Sequence, residues 1–266
     1  MYRFLLKPRW ILSHLFVLAV VIAMVNMGLW QLRRLDEKRA RNAEIVAAQH
    51  ETPVALSALL PPLGQVTPAD VTAAQYRVVL VSGTYRAEQQ VVIPNRTHAG
   101  SPGFWVITPL QLADGSAVAI NRGWIPYTYT PDPATWGDFA PPTGSVVVQG
   151  MVRVPQTRSN SIAGSPSDPS AGVVRELARV DVARLDQQVD ETLWPLYLDL
   201  QAQQPAPGDL PIVVDAPELS EGPHLGYAVQ WFAFSALTLV VYPLLLRRHA
   251  RRRLYAPEAA SEVTER

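Results

Sequence analysis

The chain has 266 residues with 23 basic and 23 acidic side chains, so its zero net charge offers no electrostatic reason to bind nucleic acid, and none is expected. It has no cysteine, which excludes structural disulfides, iron–sulfur ligation, thiolate zinc sites, thiol nucleophiles and covalent haem attachment through a CxxCH pair. Hydrophobic residues make up 48%, enough for one folded domain of ordinary size plus membrane segments.

Trp10 to Trp30, WILSHLFVLAVVIAMVNMGLW, carries no charge apart from His14, which can be neutral. At ~1.5 Å per residue it is long enough to cross ~30 Å of hydrocarbon. A cleaved signal peptide is the competing reading, but the run is long and no A-x-A-like site follows, so it is expected to stay as an anchor. Ala19, Ala23, Asn26 and Trp30 share one face by helical arithmetic, and the small residues among them suit close approach of a partner helix. Residues 1–9 become a cytoplasmic N-terminus and 10–32 the first transmembrane helix. Arg33 to His50 is expected to continue as a charged helix, broken by the prolines of TPVALSALLPPLGQ.

Residues 33–223 are expected to form one extracytoplasmic domain. Its period changes from helical to strand-like in YRVVLVSGTY (Tyr76 to Tyr85), QQVVIP (Gln89 to Pro94), GFWVITPLQL (Gly103 to Leu112), SAVAINRGWI (Ser116 to Ile125) and SVVVQGMVRV (Ser145 to Val154). Between Leu112 and Ser116, Asp114-Gly115 is expected to supply the positive φ values of a tight hairpin. Pro126 to Pro142 and Pro155 to Gly172 are too rich in Pro, Gly and Ser for regular structure. A short helix at Asp181 to Val189, with Asp181 as N-cap, precedes a last strand at Pro195 to Gln201. The fold class is a membrane protein: two transmembrane helices flanking an extracytoplasmic α+β domain with an antiparallel, partly barrel-like β-sheet.

The second span is placed at 224–246, its apolar run being Leu225 to Leu246, with an Arg-rich tail at 247–266. Arg247, Arg248, Arg251, Arg252 and Arg253 follow it, whereas Asp215, Glu218 and Glu221 precede it, which puts both termini in the cytoplasm. Arg33, Arg34, Lys38, Arg39 and Arg41 pull the other way, but long translocated loops obey the charge rule weakly. With nine residues before the first span there is little room for a mitochondrial presequence, so a bacterial cytoplasmic membrane is the expected location.

An enzyme reading has little support: there is no G-x-S-x-G, H-E-x-x-H, P-loop or G-x-G-x-x-G motif, and no catalytic residue is assigned. Arg96 and His98, in NRTHAGSPGF, are expected on a flexible loop that either binds an anionic group or is simply solvated. In INRGWIP, Arg122 can offer a bidentate donor and Trp124 an aromatic face; equally, Gly123 can permit a bulge and Trp124 fill the core. On the second span, His224, Tyr227, Trp231, Ser235, Thr238 and Tyr242 fall in a stripe about 80° wide, with Gln230 beside it. Such a face should meet protein or a ligand. Helix packing accounts for much of it; His224 can also offer an imidazole nitrogen to a metal centre whose apolar macrocycle lies along the aromatics.

Taken in order, GLWQLRRLDEK, YRVVLVSGTY, GFWVITPLQLADGSAVAINRGWIP and HLGYAVQWFAF resemble the Surf1 family (Surfeit locus protein 1) of cytochrome c oxidase assembly proteins. The first matches the family's G-x-W-Q-x-x-R-x-x-x-K through Gly28, Trp30, Gln31, Arg34 and Lys38, with Glu37 where an aromatic is usual. The resemblance implies an assembly factor for an aa3-type oxidase, not an enzyme. It would bind haem a transiently and without a covalent bond, with its iron on His224 and Tyr227, Gln230 and Trp231 alongside, and assist insertion into subunit I. The partners implied are oxidase subunit I, the haem a synthesis machinery and membrane lipid. Gly28, Trp30, Gln31, Arg34, Lys38, Asn121, Arg122, Gly123 and Trp124 are the motif and partner-facing candidates. A cofactor-free scaffold for nascent oxidase subunits is the alternative, with Arg34, Lys38, Arg122 and Trp124 as partner contacts.

Overall fold

The computed structural model describes residues 3–129, 133–157 and 167–255. The chain divides into two compact units, Met1–Ala43 with Glu218–Arg266, and Glu44–Pro217. Helix α1 (Pro8–His50) runs 43 residues, so the helix expected to continue past the first apolar run does so, ending just before Pro53.

The second unit is built from β1 (Val54–Ala55), α2 (Leu56–Leu59), α3 (Pro68–Ala73), β2 (Val78–Tyr85), β3 (Val91–His98), β4 (Ser101–Leu112), β5 (Ala117–Pro126), β6 (Ser145–Arg153), α4 (Val182–Asp186) and β7 (Leu193–Gln204). The sheet order is β1-β2-β6-β7-β5-β4-β3, and a further β2–β4 pairing joins strands within that row. The ring β2-β6-β7-β5-β4 is thereby closed, a five-stranded barrel with β3 laid on β4 as a flap. Closure removes the exposed edges that open sheets must protect.

Two pairings depart from the expected antiparallel sheet: β1 runs parallel to β2, and β5 parallel to β7. Strand patterning reports which residues are strand-like and which face is apolar. It is silent on which distant strand completes a barrel, and here β7 returns beside β5 only after β6 and α4 have intervened. Inside the barrel, Val79, Val81, Leu110, Val118, Ile120, Val148, Leu198 and Leu200 form the core. On its outer face Val91, Ile93, Ile107 and Tyr197 pack under Leu177, Val182 and Leu185. Each fully buried aliphatic side chain contributes about 1.5–3 kcal/mol.

The β4–β5 hairpin forms as expected but by a different device. Only Gly115 takes positive φ (85°), while the Asp114 carboxylate accepts hydrogen bonds from Ser116 N (3.0 Å) and Ser116 Oγ (2.6 Å). Those donors also hold the Asp114 carboxyl below its usual pKa. Asp181 caps α4 by accepting from Arg184 N at 3.0 Å. Within the two irregular stretches, residues 130–132 and 158–166 lie outside those described, and Pro133–Phe139 forms a 3-10 turn.

Helix α5 (His224–Tyr255) completes the first unit. Both α1 and the stretch His224–Arg252 of α5 are long and apolar enough to cross a membrane. They lie antiparallel, with Gly28 against Phe232 and His14 beside Tyr242. The shielded positions of α1 include His14, Val17, Val21, Met24, Gly28, Gln31 and Leu35, alternating steps of three and four as in a left-handed coil, with Trp10, Ser13, Val20, Val25 and Leu32 half-buried beside them. That is not the face expected from Ala19, Ala23, Asn26 and Trp30, all four of which are exposed, Asn26 bonding the Ile22 carbonyl of its own helix. In a helix apolar all round, small residues alone do not mark the contact face. Gly28 does so, because a Cβ there would come within 2.8 Å of the Phe232 ring.

Candidate functional site

His224 is the first residue of α5, and its place is set by the connector before it. Arg39 grips Glu221 through two hydrogen bonds (2.8 and 2.9 Å), and Asn42 Nδ2 donates to the Leu219 carbonyl at 2.7 Å. Gly222 turns the chain with φ 72°, its N–H donating to Ser220 Oγ at 3.1 Å. The His224 ring then meets Gln31 of α1, Nδ1 lying 2.8 Å from Oε1. Gln31 is only 9% exposed.

The polar stripe on α5 separates into two parts. Ser235 and Thr238 donate back to the carbonyls of Trp231 and Phe234 at 2.9 and 2.8 Å, and Tyr242 OH lies 2.9 Å from Ser13 Oγ and 2.6 Å from His14 Nδ1. Bonding within α5 and contact with α1 therefore account for the lower stripe. At the upper end, Tyr227 is 48% exposed and Gln230 is exposed, while half-buried Trp231 meets Phe234 edge-on at 6.3 Å. His224, Tyr227 and Phe234 thus begin an accessible aromatic surface with one imidazole at its head.

On α1, Trp30 is 47% exposed and Lys38 is exposed; Arg34 donates to Glu37 at 2.6 Å, both of them solvent-facing. An exposed pair of this kind contributes at most about 1 kcal/mol.

The N-R-G-W block belongs to the barrel itself. In the register Val106 faces Gly123 and Ile107 faces Asn121, leaving Arg122 as the extra residue of a bulge. Arg122 is 2% exposed, and its Nη1 donates to Gln90 Oε1 (3.1 Å) and to the Phe139 carbonyl (2.7 Å). Burial pushes its pKa down to about 10. Asn121 donates to Asp199 Oδ1 at 2.8 Å, and Arg153 pairs with Oδ2 of the same carboxylate at 3.2 Å. Burial still raises the Asp199 pKa. Gly123 has φ 137°, and a Cβ would lie 2.1 Å from the Ile212 carbonyl oxygen. Trp124 is buried, exchanges two backbone hydrogen bonds with Ile212, and donates from its indole to the Arg96 carbonyl. Asn121, Arg122, Gly123 and Trp124 therefore act within the fold.

Arg96 and His98 lie on β3 rather than on a loop, and they part company. The Arg96 guanidinium stacks 4.3 Å over Trp105 and donates to Gln156, whereas His98 lies 5.4 Å from the Trp124 ring and 3.5 Å from Asp215. Sequence pattern gives no positioning role to Gly222, Asn42, Gln90 or Asp199, and treats Glu221 and Arg39 only as charges flanking the spans. Their roles depend on partners far away in the chain, and no local pattern announces them. Among the described residues no three His, Asp or Glu side chains cluster as a metal site.

A closed β-barrel unit carried with a pair of long apolar helices, one of which opens on a histidine and accessible aromatics, defines the class of protein. The SURF1 family model matches residues 18–236, and the chain belongs to the SURF1 family, as its motifs led one to expect. It is 26% identical over 247 residues to a SURF1-like protein of Monosiga brevicollis, covering 89% of this chain and 88% of that one. An uncharacterized SURF1-like protein of Mycobacterium tuberculosis is 28% identical over 236 residues, covering 88% and 82%. A SURF1-like protein of Rickettsia felis is 20% identical over 248 residues, covering 88% and 97%.

Proposed function

We propose that the protein is an assembly factor for an aa3-type cytochrome c oxidase that holds haem a at His224 and assists its insertion into subunit I. The observation carrying the assembly role is SURF1 membership across residues 18–236, which takes in parts of both apolar helices and the barrel between them. The haem reading is supported by His224 at the head of an accessible aromatic surface. Gly222 flanks the Nε2 edge of the ring without a side chain of its own; a Cβ there would lie 3.5 Å from Nε2. A neutral imidazole nitrogen beside apolar and aromatic groups fits a lipophilic macrocycle whose iron accepts one nitrogen ligand. When bound, the haem supplies the iron and the farnesyl-bearing ring; the protein binds, shields and releases it. Non-covalent attachment allows hand-over, and no bond-making step is assigned to any side chain.

In this reading residues 10–32 and 224–246 cross a bacterial cell membrane, 33–223 is extracytoplasmic, and 1–9 and 247–266 are cytoplasmic. The arginines Arg247, Arg248, Arg251, Arg252 and Arg253 support that orientation. Subunit I, the haem a synthesis machinery and membrane lipid are the partners.

Deleting the protein, or substituting His224→Ala, should lower the haem a band in reduced-minus-oxidised spectra of membranes. An unchanged band in both strains sinks the haem role. A second reading, a cofactor-free scaffold, is favoured by the engagement of Ser235, Thr238 and Tyr242 in hydrogen bonds within the helical pair and by the exposure of Trp30, Arg34 and Lys38. Protein purified colourless from cells rich in haem a, yet needed for oxidase assembly, would select it.

A further inference from the structure

We propose that Gln31 is a positioning residue for His224: its amide oxygen accepts the Nδ1 proton and thereby leaves Nε2 as the ligand nitrogen. This rests on the haem a reading above. An amide oxygen only accepts, so with Oε1 lying 2.8 Å from Nδ1 the hydrogen is in this proposal put on Nδ1. A neutral imidazole has one N–H, and the lone pair is then on Nε2. Gln31 is itself buried in the α1 seam, one turn from Gly28, where a Cβ would come within 2.8 Å of the Phe232 ring.

The same ring is approached from its other edge by Gly222, whose absent Cβ would lie 3.5 Å from both Cδ2 and Nε2. One nitrogen is therefore engaged by a buried amide and the other faces a glycine. The connector that carries Gly222 is tied to α1 through Arg39–Glu221 and Asn42–Leu219, which fixes the glycine beside that edge. Metal-bound histidines are generally oriented in this way, by a partner on the second nitrogen. A neutral amide orients the ring but adds less basicity than a carboxylate, which suits a ligand that must let go of its cargo.

The tautomer is readable in the full chain without haem, in mild detergent, by 15N NMR of labelled histidine, with His224→Ala assigning the signal. Wild type should show a protonated Nδ1 and bare Nε2; Gln31→Leu should shift the ring towards Nε2–H. For the loaded protein, co-expressed with the haem a synthesis enzymes, transfer of haem a to a globin acceptor and the iron–histidine stretch by resonance Raman are measured. Gln31→Leu should release haem a about 10- to 100-fold faster and lower the stretch. Gln31→Glu, which keeps an acceptor, should release it no faster than wild type and raise the stretch, so a folding defect at this position would show in both variants rather than one. If Gln31→Leu matches wild type in rate and stretch while His224→Ala loses the pigment, the role of Gln31 is overturned and the haem reading stands. If His224→Ala keeps the pigment, the haem reading falls. A wild-type ring protonated at Nε2 overturns the tautomer assignment in either case.

Discussion

The barrel and the helical pair use polar motif residues in opposite ways. In the barrel unit, Asn121 and Arg122 are buried, bonded to Asp199, Gln90 and the Phe139 carbonyl. In the helical unit, Arg34, Lys38, Trp30 and Tyr227 are exposed, while Gln31 and His224 engage each other. A buried guanidinium must be satisfied by the fold, because an unpaired charge or orphaned acceptor costs several kcal/mol. An exposed one contributes almost nothing to stability and is free for a partner. Sequence motifs of one family thus divide into residues that make the barrel and residues that remain available.

That contrast can be broken most forcefully at Gly123→Ala. Its Cβ would collide with the Ile212 backbone at a φ that other residues rarely adopt, so loss of the folded barrel is expected, read as protease sensitivity of the full chain in detergent. Arg122→Met comes next, at about 3 kcal/mol by urea titration, since the Phe139 carbonyl loses its donor and Gln90 Oε1 keeps only Thr108 Oγ1. Gly28→Ala should weaken the helical pair by about 1–3 kcal/mol, because Phe232 must move aside. A thermal melt following Trp emission, together with proteolysis of the connector, reads it out. The smallest effect is expected at Arg34→Met: under about 0.5 kcal/mol on stability, with any fall in oxidase assembly arising at a partner surface. Should Arg34→Met unfold the chain, or Arg122→Met leave stability untouched, the division between barrel-making and partner-facing residues is wrong.

Much of this architecture was legible beforehand. Periodicity located strands around Val78–Tyr85, Ser101–Leu112, Ala117–Pro126 and Ser145–Arg153, and the two apolar runs, because both signals are local. The Asp181 cap and the Leu112–Ser116 reversal are local too, although Asp114 acts through its carboxylate rather than its backbone. What failed was orientation. The contact face of α1 was assigned to Ala19, Ala23, Asn26 and Trp30, since a uniformly apolar helix has no moment to point with. Closeness in sequence joins Arg96 and His98, and as i and i+2 of β3 they share a strand face, yet Arg96 lies over Trp105 while His98 meets Trp124 and Asp215, partners that no local pattern names.

The amino-acid sequence by itself determined the elements, the absence of thiol chemistry and the family. Hydropathy period, turn chemistry and ordered motifs all reside in short stretches of chain. Only the tertiary structure decided that β5 and β7 lie parallel in a closed ring, that Arg122 is an internal strut, and that Gln31 holds the His224 ring. Each of these pairs residues far apart in the chain, and hydrogen-bond satisfaction in a buried place is a property of that meeting rather than of either partner alone.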